Sequence, residues 1–253
     1  MKASLQGSDV RRRVRQVVRA LEQFLGTPRQ ESLLPPPLDM LIATILSQNT
    51  NDKNSHRAYT SLRSQYPTWE SVAHAPLRGI IAAIRQGGMA NQKSRRIRET
   101  LLAVKEQYGD YDLSALRSLS NENVIDDLVR LRGVGPKTAS CVLLFSLGRD
   151  LFPVDTHVHR ICGRLGLSGA SRSPEETFRI MKPLIPKGKG YSFHTNLIRF
   201  GRKVCRSHSP ACGVCPVRHL CSYPKKSRPG RAAGVLSRAD HDFMLLDNVR
   251  PAR

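Results

Sequence analysis

The 253-residue chain carries 41 Lys and Arg against 20 Asp and Glu, a formal net charge of +21, with 40% apolar residues and 6% aromatics. So apolar a chain can bury a core, which excludes global disorder, and the charge excess points to a polyanionic partner, either nucleic acid or an anionic membrane surface. The longest apolar runs, Cys141 to Leu147 and Gly79 to Ile84, fall far short of the roughly 20 residues that span a bilayer, and the arginine-rich start lacks a signal-peptide core, so a cytoplasmic protein with no membrane association is expected.

Apolar spacing is helical almost throughout, with little strand alternation, and the fold class is read as all-α. In chain order the pattern predicts helices over 9–24, 38–47, 51–65, 77–86, 91–108, 121–131, 136–147, 155–165, 174–185 and 191–205. Ser173 followed by Pro174, Glu175 and Glu176 gives one helix a hydroxyl cap, a first-turn proline and acids at its positive end. The prolines at 35–37 mark a boundary. Residues 1–37 form an N-terminal helix and linker expected to pack with the C-terminal lobe, and 38–149 form a helical bundle. Residues 150–221 form a C-terminal helical lobe, and 222–253 turn to Pro, Gly, Arg and Ser, the composition of a disordered basic tail.

Leu131-Arg132-Gly133-Val134-Gly135-Pro136-Lys137-Thr138 joins two of these helices by a very short glycine turn. Gly133 and Gly135 can take positive φ, and Pro136 needs no donor at the first turn of the next helix, so main-chain amides around Gly133, Val134 and Gly135 can hold a phosphate oxygen. A lone G-x-G is more often a plain helix connection with a surface lysine. Here two features add to it. Lys137 stands in the first helical turn, where the helix dipole disfavours an ammonium, and an amine there is a usable nucleophile. Eighteen positions on, Asp155 is placed to N-cap the following helix. An amine and a carboxylate at the starts of successive helices, beside a phosphate-binding turn, can work on the sugar attached to that phosphate.

With those residues the chain resembles the endonuclease III family of DNA glycosylase/AP lyases, from about Leu38 to Cys221. The resemblance implies two helical lobes with a DNA-binding cleft, a helix-hairpin-helix motif, and a monomer acting on double-stranded DNA with damaged bases or abasic sites. It implies that Lys137 attacks C1′ of the damaged nucleotide to form a Schiff base, that Asp155 assists its deprotonation, and that oxidised pyrimidines are the substrates. Ile45-Leu46-Ser47-Gln48-Asn49-Thr50 resembles the segment that fills the gap left by a flipped base; Asn49 is in register, Gln48 is one place earlier, and either amide can enter the duplex. Gly87-Gly88-Met89-Ala90 resembles the second wedge loop, with Met89 at its tip; the plainer reading is a helix connection with Met89 in the core.

Cys205, Cys212, Cys215 and Cys221 are spaced C-x6-C-x2-C-x5-C, four thiols within 17 residues. Four thiolates suit a tetrahedral zinc site or an iron–sulfur cubane. The spacing equals that of endonuclease III, and the resemblance implies a [4Fe-4S] cluster. Cys141 and Cys162 fall on apolar helix faces and are read as buried hydrophobes. Three rivals remain: an adenine-mismatch glycosylase, a mismatch-specific thymine or uracil glycosylase, and a non-catalytic DNA-binding module that uses the hairpin only to grip phosphate.

Overall fold

A computed structural model of the chain describes residues 7–30 and 32–223; the basic segment from 224 onward, where the tail is expected, lies outside the described residues. These divide into two compact units, one of residues 7–30 and 150–223, the other of 32–149. Among the described residues there is no strand.

The 32–149 unit is built on helices that are apolar around their whole circumference. In α2 (Pro37–Ser47) every residue from Pro37 to Leu46 except Asp39 is buried, and in α8 (Pro136–Phe145) so is every residue from Thr138 on. A helix apolar on all sides must be covered on all sides; α2 and α8 pack on each other. Around this pair run α3 (Asp52–Gln65), α4 (Trp69–His74), α5 (Leu77–Ile84), α6 (Ala90–Tyr108) and α7 (Asn121–Val129). The one charged side chain of α2 is satisfied: Asp39 accepts from Tyr59 Oη at 2.8 Å and from Trp69 Nε1 at 3.1 Å. Burial and the Asp39 charge push the Tyr59 hydroxyl well above its ordinary range.

In the other unit, α1 (Gly7–Leu25) buries Val14, Val17, Val18 and Leu21, one stripe at helical spacing, each worth roughly 2 kcal/mol of burial. Near its end Glu22 accepts from Lys189 Nζ at 3.0 and 3.1 Å and from Ser192 Oγ at 2.8 Å, and Asn196 Nδ2 donates to Gly26 O at 2.9 Å. These bonds fasten α1 to α11 (Gly190–Lys203). In the same unit α9 (Thr156–Arg164) packs on α11 and α10 (Pro174–Met181) on α9, the latter capped as its sequence predicts, by Ser173 Oγ accepting from Glu176 N. Gly190 cannot be replaced without moving backbone, because an added Cβ would collide with Leu151 O.

Two departures from the expected elements have local causes. Residues 69–74 form a helix that periodicity does not reveal, because six residues are too few to show a period; its box pairs Thr68 with Ser71 instead of the usual Glu or Gln. The last helix ends at Lys203, so Cys205 belongs to the loop after it.

Candidate nucleic-acid interface and cysteine loop

The hairpin turn uses its two glycines differently. Gly133 takes φ +80°, whereas Gly135 sits at φ −97°, ψ 173°, and serves as the N-cap of α8, so the expected use of positive φ holds for the first glycine only. At Gly133 a side chain is strained by φ, and the Arg96 guanidinium that lies against it would have to move aside. Val134 is 5% exposed and its N–H donates to Leu131 O at 3.0 Å, so its amide serves the turn itself, and an incoming phosphate is left to the amides of Gly133 and Gly135. Lys137 is the second residue of α8, half-buried, directly behind this turn.

The two segments read as wedges meet in the same unit. Asn49 and Met89 are both non-glycine residues at φ +52°, and Asn49 Nδ2 donates to Met89 Sδ at 3.6 Å. Met89 is 48% exposed, so the reading that places it in the core is wrong: the left-handed turn before α6 turns its side chain out. Gln48 is occupied otherwise. Its backbone is extended, and its Oε1 accepts from Arg96 Nη1 at 2.6 Å. Arg96 thus spans from the first wedge segment to the hairpin turn at Gly133. Of the two amides, Asn49 is the exposed one at the tip and Gln48 is held.

In the other unit Asp155 caps α9, its Oδ1 accepting from Val158 N at 2.8 Å. One turn on, Arg160 donates from Nε and Nη2 to Cys205 O at 3.2 and 2.9 Å, and from Nη2 to Gly201 O at 3.1 Å. The next turn carries Arg164, which donates to Cys205 Sγ at 3.4 Å, to Arg206 O at 2.7 Å and to Ser207 O at 2.9 Å, and lies over the Tyr223 ring. So α9 is tied at one end to the Asp155 cap and along its length to the cysteine segment.

Cys205, Cys212, Cys215 and Cys221 line one cavity, walled by apolar side chains that include Phe200 and Val217. Among the described residues no His, Cys, Asp and Glu group has the arrangement that holds a single metal ion. Burial pushes the Cys205 thiol up, and burial together with the neighbouring cysteines pushes Cys215 up to about 11. Cys205, Cys212 and Cys221 each raise the cost of charging Cys215, and a bound cationic group would relieve that cost. Tyr223 N–H donates to Cys221 Sγ at 3.4 Å, and Arg218 Nη1 donates to Cys212 O at 3.2 Å. Cys141 and Cys162 are buried, 4% and 0% exposed, and burial drives the Cys162 thiol to about 12.

The family described as "HhH-GPD superfamily base excision DNA repair protein" matches residues 42–187. Endonuclease III of Thermotoga maritima is 34% identical over 194 residues, 77% of this chain and 86% of that protein. Endonuclease III of Sulfolobus acidocaldarius is 35% identical over 185 residues, 72% of this chain and 80% of that one. Among solved structures, a non-covalent endonuclease III–DNA complex superposes with a TM-score of 0.73 at 28% identity, covering 84% of this chain and 95% of that one. A trapped covalent endonuclease III–DNA intermediate matches with the same figures.

The chain belongs to the endonuclease III family. It is a base excision repair DNA glycosylase/lyase, and no described helix is long and apolar enough to cross a membrane. Set in an endonuclease III frame, three basic side chains gain roles that motif reading leaves unassigned: Lys93, Arg96 and Arg160. Lys93 carried a signal. It occupies the stripe of α6 that buries Ser94, Ile97, Leu101 and Val104, and a lysine in a buried stripe is out of place. Arg96 and Arg160 carried none, because arginines are common on the exposed faces of so basic a chain.

Proposed function

We propose that the protein is a bifunctional glycosylase/AP lyase that removes oxidised pyrimidines from duplex DNA. In this reading Lys137 Nζ attacks C1′ of the flipped nucleotide, the N-glycosidic bond breaks, and the base departs with a proton. The ring-opened sugar is then a Schiff base on Lys137; loss of a C2′ proton expels the 3′ phosphate and nicks the strand 3′ to the abasic site. Asp155 takes the proton from Lys137 and opposes the positive charge that develops on the sugar. Asn49 and Met89 enter the stack where the base has left, since a base cannot be processed while stacked. The amides of Gly133 and Gly135 grip a backbone phosphate.

The observation that carries this reading is that Arg96 reaches from Gln48 to Gly133, so the first segment read as a wedge and the turn that introduces the Lys137 helix lie within the reach of one side chain. That is the arrangement needed to pry a base out and meet its sugar with an amine. The trapped covalent endonuclease III–DNA intermediate among the structural relatives supports an enzyme-linked step. The four cysteines would hold a [4Fe-4S] cluster: all donors are sulfur, the cavity is apolar, and N–H groups of Arg164 and Tyr223 point at two of the sulfurs. Such a cluster would supply covalent closure of the 205–221 loop. We place the enzyme in the cytoplasm as a monomer, where chromosomal DNA is its substrate.

A panel of duplexes, each with a single lesion, tests the assignment. Excision coupled to strand nicking at an oxidised pyrimidine is the expected result. Excision confined to mismatched thymine or uracil, with the strand left intact, would replace this reading with that of a mismatch glycosylase.

A further inference from the structure

Lys93 is 2% exposed. Its Nζ donates to Leu46 O at 2.7 Å and to Gly87 O at 2.8 Å, both backbone carbonyls. The first belongs to the last turn of α2, the second ends the short 3-10 turn of residues 85–87, and each closes the element that leads into a wedge loop. Asn49 follows three residues after the one carbonyl, Met89 two residues after the other. A buried ammonium is expensive even when hydrogen-bonded, and an apolar side chain of the same length would fill this stripe of α6 more cheaply. Helix-terminal carbonyls favour a cation and offset part of that cost, yet burial still pulls the ammonium down to about 8. What the charge achieves is geometric. Only a group with several donors can hold two carbonyls from separate elements at one point.

Directly beyond those carbonyls the chain adopts two uncommon conformations, Asn49 and Met89 at φ +52°, and their side chains touch. Non-glycine residues stay in that region only where their surroundings hold them there.

We propose that Lys93 is a positioning residue whose ammonium bridges the roots of both wedge loops and so fixes Asn49 and Met89 as a single inserting unit. The proposal rests on the reading of the protein as a base-flipping glycosylase/lyase. Loss of the bridge would leave each loop folded but let the tips move independently, and a misplacement of about 1 Å is enough to slow an oriented step by about 100-fold.

Two assays on the full-length protein separate this role from general support of the fold. One is single-turnover excision of a fully paired lesion, which needs the wedge; the other is nicking at an abasic site in a single strand, which has no stack to open. Lys93→Met should lower the first relative to the second by about ten-fold to 100-fold. In an Asn49→Ala, Met89→Ala background the same change should move that ratio by less than about two-fold, because there is no wedge left to position. Should Lys93→Met fail to fold, Lys93→Gln, which keeps two N–H donors on a shorter stem, goes through the same cycle. Equal loss in both assays, an unchanged ratio, or a full further loss in the wedge-free background would overturn the role of Lys93. Wild-type protein that nicks no abasic strand would instead overturn the lyase reading on which it rests.

Discussion

In the unit of residues 32–149, the three loops read as touching DNA are positioned by the side chains of one helix: Lys93 reaches the roots of two, and Arg96 reaches from Gln48 to the hairpin at Gly133. In the other unit, the 205–221 segment has only two three-residue 3-10 turns, and apart from Val217 its residues lie half-buried or exposed. Arg160, Arg164 and Arg218 bond to its backbone, but it buries too little apolar surface to order itself. The loops read as wedges and the hairpin are thus set by helix packing, whereas the cysteine loop is held mainly by arginines bonded to its backbone and, in the proposed reading, is completed by a ligated group.

The sharpest way to break that contrast is to remove one ligand from the second region. Cys212→Ala should yield protein without brown colour and without its share of about four irons per chain, poorly folded or proteolysed near 205–221. Hydrogen exchange should still protect α2 and α8, which owe nothing to the loop; equal loss of protection in both would mean that the units do not differ as described. A colourless, zinc-loaded and fully active preparation would refute the iron–sulfur reading.

Asp155 stands at the head of the helix that carries Arg160 and Arg164. Asp155→Asn keeps a capping oxygen, so stability should change by under about 1 kcal/mol. Excision should fall by about 100-fold or more with DNA affinity nearly intact. A large drop in melting temperature would show that the carboxylate is structural.

Burial lowers Lys93 from its ordinary 10.5 to about 8. Between those two values the unfolded chain binds more protons than the folded one, so this residue's contribution to stability improves as pH rises from 8 to 10.5 and is worst below 8. The stability of wild type relative to Lys93→Met should therefore rise with pH between 8 and 10.5, by roughly 1–3 kcal/mol, as read from thermal melts. Parallel curves would indicate that the ammonium is not desolvated.

The smallest expected effect lies outside both regions. Truncation after Tyr223 removes Lys225, Lys226, Arg228, Arg231, Arg238, Arg250 and Arg253. Affinity for undamaged duplex should follow salt with a log–log slope of about −4 or steeper, and truncation should flatten it by roughly 1 or more. Single-turnover excision should stay unchanged. An unaltered slope would make the segment a solvated appendage.

The all-helical fold is legible because 3.6-residue apolar spacing marks nearly every long helix, and caps such as Ser173 and Asp155 fix where they start. The family is legible from the hairpin, Lys137, Asp155 and the cysteine spacing together. What escapes a linear reading is of two kinds. Short helices such as 69–74 show no period. Long-range bonds leave no local pattern, so nothing around Gln48 indicates that Arg96, 48 positions on, holds it and leaves Asn49 exposed. Lys93 is the instructive middle case, since its stripe marks it as buried but only the fold shows that its two acceptors are Leu46 O and Gly87 O, at the roots of the loops read as wedges.

The most direct test is borohydride trapping on a duplex containing one abasic site, with wild type and Lys137→Gln compared at equal DNA occupancy. Wild type should give a covalent protein–DNA adduct. Lys137→Gln should give none, with nicking reduced by at least about 1,000-fold and binding to abasic DNA retained. A trapped adduct in Lys137→Gln, or its absence in wild type, would contradict the account.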